Sequence, residues 1–301
     1  MRRSRFAIVT ALLLLARLPL QANDLLYVRF ADYLESLRVQ AGIPGLAAAI
    51  VGPTDILWER GFGFQDLEHA LPMRSDTPVH LDGLTQVFTA ATLLRCAEEG
   101  RLSLDQPIGA FVADTPEPRA TIRDLLSHTN ADGGVTFNYR PERLDVLAEP
   151  VQECTQEFYR QTAAHLLERL SMINSVPGVD VLGFTAPQDG APTDAERQRF
   201  AGVLGRLATP YVVDAQRRAT PSQYPSTRLT ASQGLVSSVR DYAQFDLALK
   251  SGVLLLPESL AAAWQPRVDS AGRALPHGLG WFVRIFNGEL VVWQFGSVAS
   301  P

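Results

Sequence analysis

GLTQVFTAATLLRCAEEGRLSLDQPI runs from Gly83 to Ile108 and is the stretch on which the fold turns. Within it Leu84, Val87, Phe88, Ala91 and Leu94 recur at helical spacing, Glu98 and Glu99 are polar, and Gly100 supplies a stop, so a buried-faced helix is predicted to start at 84. Upstream, LAAAIVG (46–52) and ILWERGFGF (56–64) flank Pro53-Thr54-Asp55 and read as a β-hairpin. Before them a helix capped by Asn23 or Asp24 carries Leu25, Leu26, Phe30, Tyr33, Leu34 and Leu37, and stops near Gly42. Downstream, 101–175 reads as mostly helical. Residues 176–228, rich in Pro, Gly, Thr and Asp, read as an irregular insertion around one helix near 194–208, and a further helix fits 238–250. GLGWFVRIF (278–286) and ELVVWQF (289–295) alternate about the turn pair Asn287-Gly288, giving a second hairpin. Strands at both ends and a helical lobe at about 84–250 predict an α+β fold, with one antiparallel sheet completed by the two chain ends.

The composition suits a folded globular chain. Of 301 residues 46% are apolar and 20% charged, which excludes collagen-like and wholly disordered classes. MRRSRFAIVTALLLLARLPLQA (1–22) has a basic start, an apolar run too short for a membrane span, and a cleavage-like Leu20-Gln21-Ala22. It reads as a secretory signal, with an uncleaved anchor as the alternative; the domain then occupies 23–301, and a periplasmic or secreted location is expected, with no membrane span after cleavage. Removing Arg2, Arg3, Arg5 and Arg17 with the leader takes the formal charge from −5 to −9, which argues against nucleic-acid partners. In an oxidising compartment Cys96 and Cys154 either pair or remain two buried thiols.

These segments resemble, in order, the serine β-lactamase and penicillin-binding-protein-like hydrolases, in particular the class C β-lactamase and esterase branch. IPGLAAAIVG (43–52) and ILWERGFGFQDLE (56–68) look like the opening hairpin, and FTAATLLRCAEEGRLSLDQPI (88–108) like the active-site helix and its following turn. TIRDLLSHT (121–129), LTASQGLVSSVRDYAQFDLAL (229–249) and HGLGWFV (277–283) match later landmarks. The resemblance implies a β-lactamase/transpeptidase-like fold and acyl transfer through a Ser-x-x-Lys serine. It also implies a Tyr-x-Asn pair, and a Lys-Thr-Gly or His-x-Gly strand whose following N–H completes an oxyanion hole.

Aligned on Phe88-Thr89-Ala90, the nucleophile position is Gly83 and the lysine position Gln86. Glycine has no atom to acylate, and glutamine has no amine to cycle a proton. Tyr139 keeps the tyrosine, but Pro141 stands where asparagine is expected; Gln294-Phe295-Gly296 keeps only the glycine, followed by Ser297. Backbone donors at Gly83 and Ser297 do not depend on side chains. The candidate site is therefore a degenerate cleft of Gly83, Gln86, Tyr139, Pro141, Gln294, Gly296 and Ser297, without a catalytic residue, and no cofactor or metal spacing is present. Thr85 points elsewhere on the helix from position 83, Lys250 suits a helix end, His128 reads as a packed turn residue and His80 as a cleft liner.

The expected function is that of a pseudo-hydrolase binding a peptide or cell-wall-like ligand. A weak esterase or amidase using a non-family nucleophile and Tyr139 is the alternative enzyme reading, and a truncated gene product without selected activity is a third. The resemblance also implies two further strands and a final helix after the glycine strand, which this sequence lacks. It therefore predicts a fragment, a truncated gene, or hairpins that pair in another way.

Overall fold

The computed structural model describes residues 22–130, 135–186, 190–224 and 228–296, so the expected leader (1–22), all but its last residue, and Ser297 lie outside the described residues. Helix α1 (Ala22–Ala41) leads into the antiparallel hairpin β1 (Gly45–Val51) and β2 (Ile56–Asp66), with β3 (Leu71–Pro72) added at the edge of β2. The register runs from Gly45 opposite Gly63 to Ile50 opposite Trp58, then slips by a bulge at Val51. Arg38 of α1 ties the helix to this hairpin by donating to the carbonyls of Ile43 (2.8 Å) and Pro44.

Helix α2 (Thr85–Glu98) is the axis of the molecule. Its periodicity predicts one buried stripe, yet Val87, Ala90, Leu93 and Cys96 are buried, as are the polar Thr85, Gln86 and Thr89. Such all-round burial marks a helix enclosed on every side. It is surrounded by α3 (Ile122–Leu126), α4 (Ala148–Thr155), α5 (Tyr159–Arg169), α7 (Val239–Lys250) and α8 (Pro257–Ala263). Phe88 stacks on Phe245 of α7 at 4.0 Å between ring centroids. Cys96 and Cys154 are joined as a disulfide, which settles the open alternative and staples α2 to α4.

The insertion holds the expected helix, α6 (Asp194–Leu204), over a small second core of Val176, Val181, Phe200 and Val203. Thr193 caps it: its hydroxyl accepts from the Glu196 N–H while the Glu196 carboxylate accepts from the Thr193 N–H. It also holds an unexpected hairpin, β5 (Tyr211–Val213) with β6 (Ala219–Pro221), too short to show alternation. A two-residue pair, β4 (Val79–His80) with β7 (Val236–Ser237), links the insertion's exit to the segment entering α2.

The α+β class with antiparallel pairing and a helical lobe is as expected, but the single sheet is not. Among the described residues no ladder joins the two ends: β8 (Phe282–Phe286) pairs with β9 (Glu289–Trp293), with Phe282 also bridging His277, and β1 pairs with β2. The last hairpin is seated instead on the helices: the Gly280 N–H donates to Leu126 O (2.9 Å) and the Leu279 N–H to Ala263 O (2.7 Å). A Cβ at Gly280 would lie 2.4 Å from the Ala90 Cβ, so glycine is what lets this chain touch α2. The distal half of the hairpin stays exposed, with Ile285 and Phe286 both above one half accessible.

Candidate functional site

The N-terminal mouth of α2 is built by the β4–β7 pair. The Leu81 N–H donates to Leu235 O (2.8 Å), and the chain then reverses through Asp82, which takes a left-handed backbone (φ +47°), into a single 3-10 turn, Asp82–Leu84. This brings Gly83, buried, to the first turn, and Gln86 one turn further inside the protein with no exposure at all. Thr85, the other hydroxyl there, is also fully buried and accepts the Leu235 N–H (3.2 Å), so it faces away from position 83.

Gln86 is fixed from both sides. Its Nε2 donates to the Tyr139 phenol (3.0 Å), and its Oε1 accepts from His128 Nε2 (2.9 Å). The orientation follows from the backbone: the Arg140 N–H donates to His128 Nδ1 (3.4 Å), so a neutral His128 carries its proton on Nε2 and meets an oxygen. His128 is neutral because burial, reinforced by His277 and Arg143, pushes it down to about 3. Burial pushes His277 down to about 4; its Nδ1 donates to Gly278 O (2.7 Å), and its Nε2 is buried without a partner among the described residues. Burial raises the Tyr139 phenol, against the lowering effect of the Gln86 N–H, and the Asp82 charge raises it further. Where the resemblance implies an amine, this mouth has an uncharged relay of Tyr139, Gln86 and His128.

His128 sits in a turn that is itself locked. Asp124 is bonded by Arg267, which also donates to Thr129 Oγ1 (2.8 Å), and Arg143 donates to Thr129 O (3.1 Å). Sequence reading takes His128 as packing, and so it is; its bond to Gln86, 42 residues away, has no local signal. Also missed is a cluster of rings over the mouth. Phe282 stacks on Trp293 (5.4 Å) and Phe295 (5.4 Å), Tyr139 meets Phe295 (5.5 Å), and His277 meets His128 (4.8 Å) and Phe282 (4.7 Å). The aromatic spacing in 281–295 is the one sequence signal that could have pointed to it.

The segment 294–296 packs against one side of the mouth. A Cβ at Gly83 would lie 2.8 Å from the Phe295 carbonyl oxygen, and a Cβ at Gly296 2.2 Å from Leu81 O and 3.0 Å from Gly83 N. The Gln294 side chain turns away, donating to Gly280 O (3.1 Å) and accepting from the Phe295 N–H (2.9 Å). Gly83, Gln86, Tyr139 and Gly296 thus converge as the alignment expects, with Gln294 beside them. Pro141 serves as the first residue of a 3-10 helix, Pro141–Leu147. Lys250 pairs with Asp246 (2.6 Å) at the end of α7, far along the chain from the mouth. Among the described residues no group of three His, Cys, Asp or Glu is arranged to hold a metal ion, and no helix is long and apolar enough to cross a membrane.

The beta-lactamase family model matches residues 30–297. This chain belongs to the beta-lactamase family. It is 22% identical over 283 residues to the putative penicillin-binding protein PbpX of Bacillus subtilis, an alignment covering 85% of this chain and 65% of that protein. The chain therefore spans somewhat less than two thirds of that relative's length. Among solved structures it resembles the octameric penicillin-binding protein homologue from Pyrococcus abyssi, with a TM-score of 0.72, 21% identity, and 90% of this chain against 68% of that one. It also resembles the D-amino acid amidase from Ochrobactrum anthropi, with a TM-score of 0.69, 18% identity, and coverages of 88% and 83%. At these identities the structural likenesses establish a family fold, and the chemistry has to be read from the mouth of α2 itself.

Proposed function

We propose that this chain is an exported, non-hydrolytic member of the beta-lactamase family, whose mouth region serves recognition of a peptide or cell-wall-like ligand rather than acyl transfer. The observation that carries the reading is the occupant of the lysine position. Gln86 is held between Tyr139 and His128 by two hydrogen bonds and carries neither charge nor exchangeable amine. Three further features support it. Gly83 offers no side-chain oxygen, and the Phe295 carbonyl oxygen lies 2.8 Å from where a Cβ at 83 would sit. Thr85 is engaged with the Leu235 N–H. Burial raises the Tyr139 phenol and so keeps it protonated, which leaves little phenolate to act as nucleophile or base and counts against the weak-esterase alternative. The Cys96–Cys154 disulfide is in keeping with export.

The test is covalent labelling of residues 23–301 by a fluorescent penicillin and by a fluorophosphonate. The expected result is no label within the mouth. A label mapped to a residue there would overturn the reading.

A further inference from the structure

At the opposite end of α2 lies a pocket of about 280 Å³ whose chemistry the mouth does not share. We propose that it is a binding site for a small organic carboxylate carrying a short aliphatic tail. Arg95 from α2, Arg101 from the following loop and Arg169 from the last turn of α5 converge on it, against Glu157 as the acidic residue of its lining. Glu157 is already engaged by His165 Nδ1 (3.0 Å). Arg95 and Arg101 share Glu99 and are held in place through backbone carbonyls: Arg101 donates to Cys154 O (3.0 Å) and Arg95 to Leu254 O (3.4 Å). Arg169 makes no hydrogen bond or ion pair among the described residues, so its planar fork is available to a carboxylate.

Beside Thr92, Thr155 and Thr162, the pocket has an apolar wall. Ala91, Leu166, Leu254 and Cys96 of the disulfide line it, and all four are buried. A bare inorganic anion would satisfy the arginines and leave this surface unused, whereas an aliphatic tail covers it. The volume sits at the lower edge of the roughly 300–1,000 Å³ typical of small-molecule sites, which limits the ligand to a compact one. The site is about three turns of helix from the mouth, so its test stands apart from that of the proposed function.

The probe is hexanoate, titrated calorimetrically into the full chain at low salt, with hexanol and sodium sulfate as parallel arms. The expected result is saturable binding of hexanoate, at least tenfold tighter than of either arm. Arg169→Ala should weaken hexanoate by about tenfold, the loss of one charge-assisted hydrogen bond, and Arg169→Glu should abolish it. Arg169 is exposed, so unchanged thermal midpoints in both variants establish that they remain folded. Absence of saturation by about 20 mM overturns the proposal, as does sulfate binding as tightly as hexanoate, or hexanoate affinity unchanged in both variants.

Discussion

The two ends of α2 use the same helix for opposite purposes. At the Thr85 end Tyr139, Gln86 and His128 are uncharged and hydrogen-bonded to one another, and residues 294–296 pack against Gly83. At the Glu98 end three arginines and Glu157 line a pocket over a disulfide, and Glu99 pairs with two of those arginines. Family chemistry belongs to the first end, yet the charge lies at the second. Membership of a hydrolase family thus fixes where a helix stands and leaves open what its ends do.

The comparison breaks first at Gln86. Replacing it by lysine buries an amine beside neutral His128 without a carboxylate partner, and about 3–5 kcal/mol of stability should be lost, read from denaturant midpoints. Midpoints within 1 kcal/mol of the parent would mean that the mouth tolerates charge and that its neutrality is incidental. The opposite end depends on its staple. Closing the 58-residue separation of Cys96 and Cys154 is worth about 2–4 kcal/mol, so Cys96→Ala/Cys154→Ala should lower the midpoint by that amount.

Acid should find the mouth before the arginine end. The folded-state values of His128 and His277, about 3 and about 4, lie below the unfolded 6.5, so the unfolded chain takes up protons first. Stability is complete above pH 6.5 and falls as pH drops toward 4, by about 1.4 kcal/mol per pH unit for each histidine. His277→Phe should flatten the thermal midpoint over that window, and an unaltered slope would place the acid-sensitive group elsewhere. The smallest effect is expected at the far end, where Arg169→Ala should leave stability within about 0.5 kcal/mol of the parent.

Most of the fold was legible because its elements are local. The run from Leu84 to Gly100 announces α2, and Asn287-Gly288 announces the last hairpin. The same periodicity understates α2, since Thr85, Gln86 and Thr89 are buried through tertiary bonds that spacing cannot reveal. The site was legible as an alignment: Gly83, Gln86, Tyr139 and Gly296 do meet. The Gln86 link to His128 spans 42 residues and that to Tyr139 spans 53, so neither leaves a pattern in the chain. The expected sheet across both ends failed for a similar reason. The approach of Gly280 to Ala90 seats the last hairpin on helices, and that preference lies in packing rather than in alternation.

Intact-mass measurement of residues 23–301 after prolonged exposure to a penicillin bears most directly on the proposal that the α2 mouth carries out no acyl transfer. A single species at the unmodified mass is expected. A stoichiometric adduct, traced by peptide mapping to a residue lining that mouth, would contradict it.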